Sequence, residues 1–187
     1  MKYLFFVVLI LTQQNTWAQP EHDTVKIPPA IAQCIGKQYK LIDLAYGNLN
    51  LDTLQDAIAV AQIRPEADST GDGDRIVFVL TGTKNGFKVA ARNEEVALCH
   101  GCGGMMDPYG GIDVGVGQFS IYNDGGSAWR WHNSATFLYN KKDGHWYATE
   151  EESSSFNVFD EAHTRKEKNR TVKQIGKVRF ERFVYHD

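Results

Sequence analysis

Ser127-Ala-Trp-Arg-Trp-His-Asn-Ser-Ala-Thr-Phe-Leu-Tyr139 decides the fold. Alternate positions from Ser127 hold Trp129, Trp131, Asn133, Ala135, Phe137 and Tyr139; those between hold Ala128, Arg130, His132, Ser134, Thr136 and Leu138. A strand sends successive side chains to opposite faces, so this stretch has one aromatic face and one mostly polar face. Asn140-Lys-Lys-Asp-Gly144 carries a D-G turn signal, and His145-Trp146-Tyr147 resumes as the return strand. Gly125-Gly126 marks where the hairpin begins. The expectation is a mainly β chain built as a single antiparallel, sandwich-like domain over residues 19–187, with a short N-terminal helix. Trp129, Arg130 and Trp131 are the candidate ligand-binding group. For Trp129, Trp131 and Trp146 two readings stand side by side: a stacking platform for sugars or peptides, or core aromatics.

Upstream of the hairpin lies Cys99-His-Gly-Cys102, followed by Gly-Gly-Met-Met-Asp-Pro-Tyr-Gly-Gly111. Covalent haem would need a histidine where Gly103 stands, and a redox pair would need a helix start that this glycine-rich run opposes. Zinc would need a second ligand pair. In an exported chain the expectation is a disulfide between Cys99 and Cys102 with Cys34 free, the other option being Cys34 tied to one of the pair.

Further upstream, Tyr39–Tyr46, Asp56–Gln62, Ile76–Leu80 and Gly86–Arg92 read as strands, the last two joined by a turn at Thr83-Lys-Asn-Gly86. Asp56–Gln62 puts Ile58 and Val60 on one face and Ala57, Ala59 and Ala61 on the other. It therefore belongs inside a sheet, with the alanine side closely approached by another element. Ile27-Pro-Pro-Ala-Ile-Ala-Gln-Cys-Ile-Gly36 fits a short helix with proline in its first turn and Gly36 as its stop.

Between the first two strands, oxygen-bearing side chains recur at Asn48, Asn50, Asp52 and Asp56, and Leu54 offers a carbonyl. Calcium takes six to eight oxygens, and a tight loop supplies them from alternate positions. Asn and Asp also form turns without any metal, so a calcium loop and a plain turn are both open here. Asp68-Ser-Thr-Gly-Asp-Gly-Asp74 is expected to be an exposed acidic loop.

Met1–Ala18 combines Lys2, an apolar run and Thr16-Trp17-Ala18, the pattern of a signal peptide cleaved before Gln19. The expected location is periplasmic or secreted, with no membrane anchor after cleavage. The net charge of −3 becomes one unit more negative without Lys2, which argues against nucleic acid as a partner. Arg165–Arg170 is expected to be a solvated loop, Glu150–Ser155 a surface or linker run, and Phe156–Phe159 and Val178–Val184 returns to the sheet.

The G-N-L-N-L-D loop resembles the calcium-binding strand connections of FG-GAP and VCBS-type repeats, with Asn48 at the first ligand position and Thr53 where a glycine usually turns. Together with G-G-S-A-W-R-W and F-L-Y-N-K-K-D-G-H-W-Y it is similar to small exported Bacteroidota-like proteins. That resemblance covers about Tyr39 to Ala148 and implies a fold and a location, not a chemistry.

Two functions follow as expectations. The first is a non-catalytic binding protein for a glycan or a protein, with calcium as a structural option. The second is a hydrolase of a cell-surface polymer, using acids and histidines such as Asp107, Asp113, Asp124, His100, His132 and His145. Sequence proximity alone assembles no catalytic set from these residues.

Overall fold

Asp56–Ile63 (β2) is buried from Asp56 to Gln62, with apolar side chains on both faces. A strand of that kind must be covered on both sides, and this requirement sets the layering of the chain. The computed structural model describes residues 27–186, so the signal-peptide expectation lies outside the described residues. On the alanine side of β2 lies Pro29–Ile35 (α1), whose Ile31 and Ile35 pack with Ala57, Ala59, Ala61, Ile76, Phe78 and Leu80. Alanine is the small residue that lets another element approach closely, as the sequence anticipated, and that element is the helix α1. Gly36 ends α1 at φ 83°, a conformation that costs glycine little.

β2 is a central strand of a four-stranded antiparallel sheet with Tyr39–Gly47 (β1), Arg75–Thr83 (β3) and Gly86–Asn93 (β4), in the order β1-β2-β3-β4. Its other face, carrying Ile58 and Val60, meets a second sheet. That sheet is antiparallel and five-stranded, in the order Tyr109–Gly115 (β5), Gln118–Gly126 (β6), Trp129–Asn140 (β7), His145–Asn157 (β8) and Lys166–Thr171 (β9). Phe119, Ile121, Ala135, Phe137, Trp146 and Ala148 of the second sheet close on Ile58, Val60, Val77 and Val79 of the first. The layers are therefore helix, sheet and sheet, with the main core between the sheets.

The anticipated hairpin is β7–β8, longer than expected. All twelve residues of β7 find partners on β8, from Asn140↔His145 to Trp129↔Asn157. This corrects the reading of Glu150–Ser155 as a linker: the run lies inside β8, and Glu151 is fully buried. Glu151 is held there by Arg170 Nη1 (3.0 Å), the His186 amide (2.8 Å) and His186 Nδ1 (2.7 Å). Most of the basic run expected as a loop is β9, the charged edge of the second sheet, as an exposed edge requires.

Val178–Val184 does not form a strand either. After one bridge from Arg179 to Tyr147 it becomes a 3-10 turn at Phe180–Arg182, and Phe180 and Phe183 plug the core between the sheets. Asn93 Nδ2 donates to the carbonyls of both phenylalanines (2.6 and 2.9 Å), which satisfies backbone that has no ladder partner. Beyond Asn157 the chain leaves the sheet at a turn, and Phe159 is exposed.

Candidate functional site

The core face of β7 changes character along the strand. Ala135 and Phe137 are buried, Asn133 and Trp131 are half-buried, and Trp129 is 52% exposed. The aromatic row is therefore core at one end and surface at the other. Trp146 belongs wholly to the core and donates from Nε1 to the Leu49 carbonyl (3.1 Å).

At the open end the register lays out matched rows. Asn123, Asn133, Ser153 and Lys168 lie side by side on β6, β7, β8 and β9, followed by Gly125, Trp131, Ser155 and Lys166. Directly paired residues share a face, so these side chains stand on the face that points toward the core farther along. Tyr185 and His186 come in beside them. Trp131, Asn133, Ser153, Ser155, Lys166, Lys168, Tyr185 and His186 are among the residues lining a cleft of about 440 Å³. A Cβ on Gly125 would lie 2.3 Å from Cζ2 of Trp131, so the indole ring rests on bare backbone and only glycine admits it. Asn123 secures the floor: its Oδ1 accepts from the Leu98 amide (3.0 Å), while Nδ2 donates to the Val96 carbonyl (3.0 Å) and the Tyr185 hydroxyl (3.1 Å). Burial pushes the Tyr185 phenol upward, so it stays protonated.

Of the three residues expected to act together, Trp129 and Trp131 share this face and Arg130 does not. Strand alternation places Arg130 opposite Phe156 on the outer face, where its Nη1 donates to the Gly126 carbonyl (3.4 Å) and approaches Met106 Sδ (3.7 Å). Ser153, Ser155, Lys166, Tyr185 and His186 were not anticipated. The serines lie in the run expected to be surface or linker, where no apolar alternation pointed to a strand.

The 48–56 loop is closed by its own hydrogen bonds. Asp56, fully buried, accepts from the amides of Leu49 (2.8 Å) and Asn50 (3.0 Å) through Oδ2 and from Gly82 (2.8 Å) through Oδ1. Asp52 accepts from the Leu54 amide (2.7 Å) and Asn50 Nδ2 (2.8 Å), and the Asp52 amide donates to Asn50 Oδ1 (2.9 Å). Asn48 Nδ2 donates to the Asp52 carbonyl (2.6 Å), while its Oδ1 is buried without a partner among the described residues. These bonds account for the loop's shape, and Asp56 already uses three of its roughly four acceptor positions on amides.

The acids and histidines considered for hydrolysis divide among separate places. His100 Nδ1 meets Asp107 (2.9 Å), His132 Nδ1 meets Asp124 (2.8 Å) and His145 Nδ1 meets Glu181 (3.3 Å). Asp113 lies exposed on β5. Ser154 stands opposite His132 across the β7–β8 ladder, yet the two share no hydrogen bond among the described residues. Asp107 is bound in addition by buried Arg75, Nη1 to Oδ1 at 2.7 Å. Partial burial alone would raise its carboxyl, but Arg75, the Tyr109 amide and His100 outweigh this and hold it at about 2. Cys99 and Cys102 are joined in the turn beside this cluster, with Cα atoms 5.2 Å apart, and Cys34 is free. No family model, curated protein or solved structure matches the chain.

Proposed function

We propose that the chain is an exported, non-catalytic binding protein that holds a glycan in the cleft at Trp131. The observation that carries this reading is the half-exposed Trp131 indole lying on Gly125 and surrounded by amide, hydroxyl, imidazole and ammonium groups. A sugar ring has an apolar face of C–H groups and an equator of hydroxyls, so it fits an aromatic floor with polar walls. The floor is rigid, because Gly125 and Trp131 are ladder partners, and little ordering is needed on binding. Export rests on Met1–Ala18, and the Cys99–Cys102 bond suits an oxidising compartment. Calcium enters only as a weak structural ligand of the 48–54 turn.

The test is binding of the folded protein starting at Gln19 to an array of bacterial and plant glycans, beside Trp131→Ala. The wild-type protein is expected to retain a glycan class that the variant loses, with the variant's melting curve little changed. A folded wild-type protein that retains no glycan would overturn the proposal.

A further inference from the structure

The Trp131 cleft is one part of a longer uncovered strip. β7 and β8 stay in unbroken register from Thr136↔Glu150 to Trp129↔Asn157. On the face of the cleft, β7 presents Asn133, Trp131 and Trp129 in succession, while β8 presents Ser153, Ser155 and Asn157 beside them. The strip thus repeats, each step pairing an aromatic or amide group with a hydroxyl or amide group. Asn133 and Trp129 are four residues apart, roughly 13 Å along the strand, which exceeds the length of one pyranose ring.

Trp129 contributes little to the core, with half its surface in water. Its backbone is nevertheless fixed on both sides. The Ser127 amide donates to the Trp129 carbonyl (3.0 Å), and the Val158 amide donates to the neighbouring Ala128 carbonyl (2.9 Å). A Cβ on Gly126 would sit 1.9 Å from the Trp129 oxygen, so that turn has no room for a side chain. A large apolar ring carried into solvent on a fixed backbone, one strand repeat beyond a sugar-sized cleft, fits a second stacking position.

We infer, on the basis of the glycan reading above, that the ligand is an extended glycan chain and that it runs along β7 from Asn133 over Trp131 to Trp129. A monosaccharide would use the Trp131 position alone. A chain uses both rings, with Ser153, Ser155 and the Nδ2 group of Asn157 as the hydrogen-bonding rail, the Asn157 Oδ1 being held by the Phe159 amide (3.0 Å).

The experiment is calorimetric titration of the wild-type protein, Trp129→Ala and Trp131→Ala with three oligosaccharide ladders, cello-, chito- and oligogalacturonides, each from disaccharide to hexasaccharide. Affinity of the wild-type protein is expected to rise with length on the ladder that binds. Trp129→Ala should weaken the longest members about tenfold, equivalent to about 1.4 kcal/mol, while leaving the disaccharide within about twofold. Trp131→Ala should lose every length. If Trp129→Ala matches the wild-type protein at all lengths, or weakens all lengths equally, the chain inference falls while the glycan reading stands. If the folded wild-type protein binds no member of any ladder, the chain inference falls, and the glycan reading stands or falls separately on the glycan array. Because Trp129 is largely exposed, its variant keeps the parent's melting curve, and a lost affinity reports on the ligand.

Discussion

Arg75 shows how one residue can organise a region that its sequence neighbours do not reveal. Its side chain is 1% exposed and donates to Asp107 and to the Leu98 carbonyl (2.9 Å), tying β3 to the segment between the sheets. Asp107→Ala leaves this guanidinium buried without its carboxylate, and breaking such a pair costs about 3 kcal/mol or more. The same contact has a pH signature. The folded carboxyl sits at about 2, below its ordinary value, so its contribution is complete above pH about 4 and is lost as pH falls toward 2. Since Asp107 is 40% exposed, the pH-dependent part is discounted to about 1 kcal/mol. Urea melts between pH 7 and pH 2.5 should show a shallower acid loss in Asp107→Ala than in the parent. Parallel losses would remove the pair from the account. The pair was not legible beforehand: Asp107 stood out only as one acid among several, and nothing in the sequence ties it to Arg75, thirty-two residues away.

Individual elements were more legible, and unevenly so. The strands β1 to β4 and the hairpin followed from apolar alternation and turn residues. The alanine face of β2 also announced a closely packed covering element, though not that it is a helix. Glu150–Ser155 was misread because it shows no apolar alternation: its buried member is Glu151, whose charge is matched by Arg170 and His186 from far along the chain. Pattern reading sees hydrophobic burial and misses burial paid for by ion pairing. The 48–56 loop shows the opposite difficulty, since one pattern of Asn and Asp serves both a turn and a cation. With Asp56 holding three amides, a calcium ion there would have Asp52 as its one readily available carboxylate. Its Kd should then be about 1 mM or weaker, and 1 mM calcium would add about 0.4 kcal/mol at most. Thermal melts in calcium and in chelator should therefore nearly coincide, for the parent and for Asp52→Ala alike. A shift of several degrees at submillimolar calcium, absent from Asp52→Ala, would mean that Asp56 also serves a metal.

At the scale of the whole molecule, the two sheets are unequal, and this inequality makes the site. The second sheet extends beyond the cover provided by the first, so its core-facing rows continue into an open polar strip instead of ending. Sequence periodicity finds the row but not where the opposing sheet stops, which is why Trp129, Trp131 and Trp146 all stood open between core and surface. What closes the core at its other margin is not a strand. Phe180 is fully buried, lies edge-on to Phe119 and Phe137 at centroid distances of 5.2 and 5.1 Å, and sits in a 3-10 turn whose carbonyls depend on Asn93. Phe180→Ala removes a ring enclosed by both sheets, where the surroundings are fixed by ladders and cannot collapse. The expected loss is therefore toward the upper part of the usual range, about 4 kcal/mol. Phe159→Ala, at an 86% exposed position, should change stability by less than about 0.5 kcal/mol. Urea denaturation of the two variants separates the possibilities. Equal, small effects would mean that the C-terminal segment only rests on a core already complete. A large loss in Phe180→Ala alone, with an unchanged denaturant slope, would make the segment an integral part of the sandwich.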